Sequence, residues 1–266
     1  MWLVEARTVF SRARVRALLV VLVAVPVFLA FAVYLAGGPH NGQGPTFLDR
    51  ASHNGVFTAL AGLVVTMPFF IPLSIAVMAG DAVAGEASMG TLRYLLIRPA
   101  GRARLLAAKG AVLALFCMVA ALVVVMAGLL AGVVLFPHGP VVTLSGTTIP
   151  FLDGVGRSLL ASLVVGASMF GLGAMGLFVS TLTDVPIAAM AVTIGLVIVS
   201  GILDGVSQVA FLHPWLFTNY WTSFTDLVRD PMHWGLVWKD LLLQLGYVAV
   251  FGAAAWARMV TRDVQA

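Results

Sequence analysis

The stretch GDAVAGEASMGTLRYLLIRPAGRARLLAAKG, residues 80–110, holds seven charged side chains: Asp81, Glu86, Arg93, Arg98, Arg102, Arg104 and Lys109. The whole chain of 266 residues has only 26. Long apolar runs lie on both sides of it. Hydrophobic residues make up 61% of the chain and charged residues 10%, against about 25% charged in a soluble domain. The mean hydropathy is +1.05. So few charges cannot cover a soluble protein of this size. Crossing hydrocarbon takes about 20 apolar residues per helix, and several runs meet that length. The composition predicts an all-α integral membrane protein.

Six spans are expected, at residues 17–36, 56–79, 109–136, 156–180, 185–205 and 239–258, within one membrane domain covering 1–266. The first apolar run is longer than the roughly 7–15 residues of a signal-peptide core, so it reads as a retained span. The basic pI of 9.7 does not point to nucleic acid, because the cations flank apolar runs. Arg7, Arg12, Arg14 and Arg16 precede the first span. Arg93, Arg98, Arg102, Arg104 and Lys109 lie between the second and third, and Arg258 and Arg262 follow the last. The opposite loops hold Arg50, Arg157, Arg229 and Lys239. Lys and Arg accumulate on the cytoplasmic side of a membrane, so both termini and the segment at 80–108 are expected there.

Topology alone does not require two carboxylates and a patterned centre. From 82 to 97 the spacing reads as an amphipathic helix, with Leu92, Leu95 and Leu96 apolar and Glu86, Gly90 and Arg93 recurring at four and three. Periodicity leaves open whether that helix faces lipid headgroups or a partner. Pro99 and Gly101 end it.

The order of residues is more specific. Glu86, three residues, Gly90-Thr91, a Leu-rich turn, then Pro99, Arg102 and Lys109 resembles the permease subunits of type 2 ABC exporters. Those carry a Glu-x-x-x-Gly-Thr element, a Pro-x-x-Arg element and a Lys after the second span. Gly101 departs from the hydroxyl residue often found before the Arg. The basic N-terminal helix, six spans and an aromatic-rich stretch before the last span resemble the same family. The resemblance implies that residues 80–108 form a cytoplasmic coupling helix. Glu86, Gly90, Thr91, Arg93, Arg98, Pro99 and Arg102 would then lie at or beside an ATPase contact. It also implies a re-entrant segment containing Trp215, Tyr220, Trp221 and Trp234, whose plainer reading is an aromatic belt at the outer interface.

On that resemblance the chain is the pathway-forming subunit of an ATP-driven exporter in a bacterial inner membrane. Two cytoplasmic ATPase subunits and a second permease, identical or related, would be its partners. Lipid extraction or signalling by the same complex, or a membrane scaffold without transport, are the alternatives. No G-x-x-x-x-G-K-[ST] loop occurs, so ATP and magnesium are expected on the partner and no enzymatic activity on this chain.

The remaining candidates read as structural. No Asp, Glu, Lys, Arg or His falls in the middle third of any predicted span, which argues against a proton-coupled carrier. Asp153 and Arg157, four apart, suggest a local ion pair. His40, His53, His138, His213 and His233 form no metal-ligand spacing. Cys117 excludes an intrachain disulfide and reads as a buried thiol. Ser168 reads as a helix-packing residue. Gly128–Gly132 and Gly201–Gly205 are G-x-x-x-G pairs, suited to packing within the chain or between two permeases. Pro26, Pro68 and Pro72 are expected to bend the first two spans.

Overall fold

The computed structural model describes residues 2–36, 54–90, 101–137 and 139–261. It is an almost entirely helical, multi-pass membrane protein with six helices long and apolar enough to cross a bilayer. In chain order the helices are α1 (Trp2–Ser11), α2 (Ala13–Leu35), α3 (Val56–Thr66), α4 (Phe70–Ser88) and α5 (Arg102–Leu135). After a hairpin of β1 (Val141–Val142) and β2 (Thr148–Ile149) come α6 (Phe151–Ser168), α7 (Phe170–Leu182) and α8 (Pro186–Asp204). Two 3₁₀ turns, Ser207–Trp215 and Trp221–Val228, then lead to α9 (Gly235–Thr261).

The second, third and fourth spans form the core. Between 61% and 67% of their central residues are buried, against 17% to 22% in the first, fifth and sixth. Phe57, Phe116, Ile71, Ile75 and Leu172 are fully buried there. The outer three spans present Phe28, Ile187 and Leu242 outward, the greasy faces a helix shows to lipid.

Two spans are broken, each for a local reason. In the second, Thr66 turns its hydroxyl back onto the Gly62 carbonyl at 2.7 Å, and the backbone leaves the helix at Phe69 (φ −137°, ψ −56°). Pro68, which lacks an N–H, sits inside that break. Pro72 falls in the first turn of α4, where a missing N–H is tolerated, and Pro26 lies within a continuous α2. In the fourth span the elbow is Met169 (φ −86°, ψ −7°).

Glycine sets the closest approach. Gly128 and Gly132 pack α5 onto α3: a Cβ on Gly128 would lie 2.6 Å from the Ala59 Cα, and one on Gly132 would overlap the Gly55 carbonyl. That G-x-x-x-G pair therefore serves intrachain packing. Gly201 meets nothing within 4 Å.

Several expectations need correction. The second span does not end at 79. It runs to Ser88, so 82–88 are its last turns and not the start of a separate amphipathic helix. The third span begins at Arg102 instead of 109. The hairpin was not foreseen from the sequence; its register pairs Val141 with Ile149. Arg157 does not pair with Asp153. It reaches across to the Asp230 carboxylate at 3.1 Å and donates to the Arg229 carbonyl at 2.6 Å. A carboxylate four residues back on a helix offers one contact, whereas this loop offers an anion and a carbonyl together.

Candidate functional site: the charged end of the bundle

The last turns of α4 carry two carboxylates five residues apart, about 140° around a helix. They therefore face different neighbours. Asp81 meets the N-terminal elbow, with Arg12 Nη1 at 2.9 Å and Arg14 Nη1 at 3.9 Å. Glu86 faces the third span, where Lys109 Nζ lies 2.5 Å from its Oε1.

Arg12 can reach Asp81 because the chain breaks there. Its backbone is extended (φ −65°, ψ 135°), so α1 turns away from α2 and lies over α5. Val9 is buried and Phe10 stands 6.1 Å from Phe116, ring to ring. Arg7, Arg14 and Arg16 are exposed. The predicted N-terminal amphipathic helix is thus seated on the bundle by its apolar side. A small cavity of about 50 Å³ remains at the junction, lined by Val15, Asp81, Lys109 and Met190 among others.

The two ion pairs differ in energy. Arg12–Asp81 is partly solvated and adds about 1 kcal/mol or less. Glu86 and Lys109 are both buried. Such a pair offsets its own desolvation, and removing one member costs about 3–5 kcal/mol.

α4 is also stitched to α7. Ser180 Oγ accepts from the Val83 and Ala84 N–H groups at 3.1 and 2.9 Å and donates to the Gly80 carbonyl at 2.8 Å. Gly176 lets Ala79 approach so closely that a Cβ there would sit 2.6 Å from the Ala79 methyl. The segment bearing Asp81 and Glu86 is therefore held by the α1–α2 elbow, α5 and α7 at once.

The predicted site residues separate into groups. Glu86 is not displayed outward; it lies inside the bundle against Lys109. Gly90 is exposed and adopts φ +69° just beyond the helix end, where its N–H returns to the Ala87 carbonyl at 3.0 Å. That left-handed turn is reason enough for glycine. Thr91, Arg93, Arg98 and Pro99 lie outside the described residues. Arg102 is the first residue of α5.

At the opposite end the aromatic residues divide. Trp215 and Trp234 are exposed, consistent with a belt, whereas Trp221 and Phe224 are buried in a 3₁₀ turn against α6. The hairpin joins them through the Leu144 N–H, which donates to the Val228 carbonyl at 3.2 Å. His213 Nε2 lies 3.1 and 3.2 Å from the Leu203 and Val206 carbonyls and closes the end of α8. Cys117 is fully buried. His40, His53, His138, Arg50 and Arg262 fall outside the described residues.

Sequence reading missed the polar contact at Ser168, whose hydroxyl meets Asp240 of the last span. The signal was a Lys-Asp pair entering a span predicted to begin at 239. The helix in fact starts at Gly235 and carries that Asp inside.

A family model described as "Protein of unknown function (DUF2705)" matches residues 17–265. No curated protein matches the chain.

Proposed function

The chain belongs to the DUF2705 family, and we propose that it is the permease subunit of an ATP-driven exporter. The observation that carries this reading is the ion-paired frame at the end of the second span and the start of the third. Arg12–Asp81 and Glu86–Lys109 tie the N-terminal helix and the ends of the second and third spans into one block. The segment between them bears the Gly-Thr, Pro and Arg residues that resemble a coupling element. A movement of the end of α4 is passed by Ser180 to the fourth span.

Two cytoplasmic ATPase subunits bind that face, with ATP and magnesium held on them. A second permease completes the pathway. This places both termini in the cytoplasm of a bacterium, with the chain in its inner membrane. The chain performs no covalent chemistry.

The test is co-purification of an ATPase with the tagged chain from mild detergent, beside Arg93→Glu and Arg98→Glu variants. These positions are preferable to Glu86, whose replacement disturbs an internal ion pair whatever the partner. Expected are a co-purifying nucleotide-hydrolysing subunit with the wild type and at least a tenfold loss with either reversal at unchanged melting temperature. A wild-type chain that brings down no ATPase overturns the proposal and leaves a membrane scaffold.

A further inference from the structure

A groove of about 670 Å³ runs along α9, within the size range of ligand sites. Leu242, Gly246 and Val250 recur at every fourth position, with Leu243, Tyr247 and Phe251 beside them. The floor is therefore one continuous stripe down the helix. Pro214, Trp215 and Tyr220, from the loop before α9, form the wall. That wall is pinned to the floor: Tyr247 donates to the Trp215 carbonyl at 2.8 Å, and its ring stands 5.7 Å from Phe217. Tyr247 and Phe251 stack with only 5° between their planes, so the floor is flat there. A Cβ on Gly246 would meet nothing within 4 Å. This glycine admits no neighbouring helix; its missing side chain keeps the groove open.

Polarity and length choose the occupant. Leu242 and Val250 are exposed on a membrane span, so the groove opens to lipid. From Lys239 to Phe251, twelve residues on, is about 18 Å along a helix axis, and one leaflet holds about 15 Å of hydrocarbon. The mouth is basic. Lys239 is exposed and, among the described residues, forms no ion pair; no Asp or Glu lines the groove. Trp234 and Trp238, with rings 6.5 Å apart, and the exposed Trp215 mark this level as the membrane interface. A cation at that depth meets lipid phosphates, and Tyr220 adds a hydroxyl to the same lining. A second copy of the chain fits less well. Two-fold pairing through this face puts each residue opposite its own counterpart at the same depth, so Lys239 would face Lys239.

We propose that this groove is a binding site for one anionic phospholipid. An acyl chain lies along Leu242, Gly246 and Val250 against the Trp215 wall, and the phosphate sits at Lys239 and Tyr220. The wall and the glycine floor make the site saturable, unlike the open faces of the other spans. A zwitterionic headgroup carries its own cation, which offsets the phosphate and opposes Lys239, so net-negative lipids are favoured. None of these residues belongs to the charged end of the bundle, and the proposal is independent of any ATPase partner.

The test is native mass spectrometry of the full chain in mild detergent, stripped of lipid and titrated with phosphatidylglycerol or phosphatidylcholine bearing the same acyl chains. The wild type is expected to take up one phosphatidylglycerol first, about fivefold tighter than phosphatidylcholine, from the single Lys at the lipid surface. Lys239→Gln should bring the two lipids to parity. Gly246→Leu should fill the groove and weaken both, at a melting temperature close to wild type because its Cβ has open space. Equal binding of the two lipids by the wild type, a preference that survives Lys239→Gln, or wild-type affinity in Gly246→Leu overturns the proposal. A wild-type dimer that Gly246→Leu splits into monomers overturns it as well, and makes the groove a contact between copies.

Discussion

Lys109 Nζ lies 2.5 Å from Glu86 Oε1, and the two side chains are only 4% and 12% exposed. The pair joins the end of the second span to the start of the third, on either side of the most charged segment of the chain. It converts what reads as a surface helix into part of the interior.

Glu86→Gln removes the counter-charge of a buried ammonium and is expected to cost about 3–5 kcal/mol. Lys109→Met should cost a similar amount from the other side. The Glu86→Met/Lys109→Met double variant recovers most of the loss, because two apolar groups need no counter-ions. Thermal unfolding of the detergent-solubilised chain measures all three. A Glu86→Gln variant as stable as wild type would show that the pair contributes nothing.

Gly132→Ala places a methyl on the Gly55 carbonyl and is expected to destabilise by at least the roughly 1–3 kcal/mol of an overpacked core. Gly201→Ala meets nothing within 4 Å and should be neutral or slightly stabilising, since alanine favours helix over glycine by about 1 kcal/mol. Melting temperatures of the two variants, compared side by side, separate close packing from composition.

Arg157→Ala loses contacts with both Asp230 and the Arg229 carbonyl, with an expected cost of about 1–3 kcal/mol. The loop carrying Asp230 should also become more accessible to protease. Asp153→Ala, at an exposed position, should change neither. Equal effects from the two substitutions would restore the local pair suggested by their spacing.

Cys117 is the only cysteine and fully buried, so the native chain should resist maleimide labelling in membranes. Single cysteines at Ser11 and Ser207, both exposed and separated by five spans, should label from opposite sides. Labelling of both by one impermeant reagent in sealed, oriented vesicles would contradict a chain crossing the membrane an odd number of times between them.

How much was legible in the sequence depends on range. The six spans follow from apolar runs, because desolvating a backbone in lipid requires a helix whatever its neighbours are. Their ends moved by up to nine residues, as at Ser88 and Gly235. A polar residue extends a helix as readily as it caps one, and only its partner decides which. Pro68 was visible as a bend, whereas the Met169 elbow carries no proline and was not. The aromatic stretch 211–238 was legible as interfacial, but Trp215 and Trp221 could not be told apart.

By itself, the sequence determined that this protein lives in a membrane, how many times it crosses, and where its cations gather. Those properties are sums over local free energies of transfer. The tertiary structure alone decided which charges are partners: Asp81 with Arg12, Glu86 with Lys109, Arg157 with Asp230, and Asp240 with the uncharged Ser168. An ion pair or hydrogen bond falls off within a few ångströms, and residues 23 to 73 positions apart come within that distance only after the helices have packed.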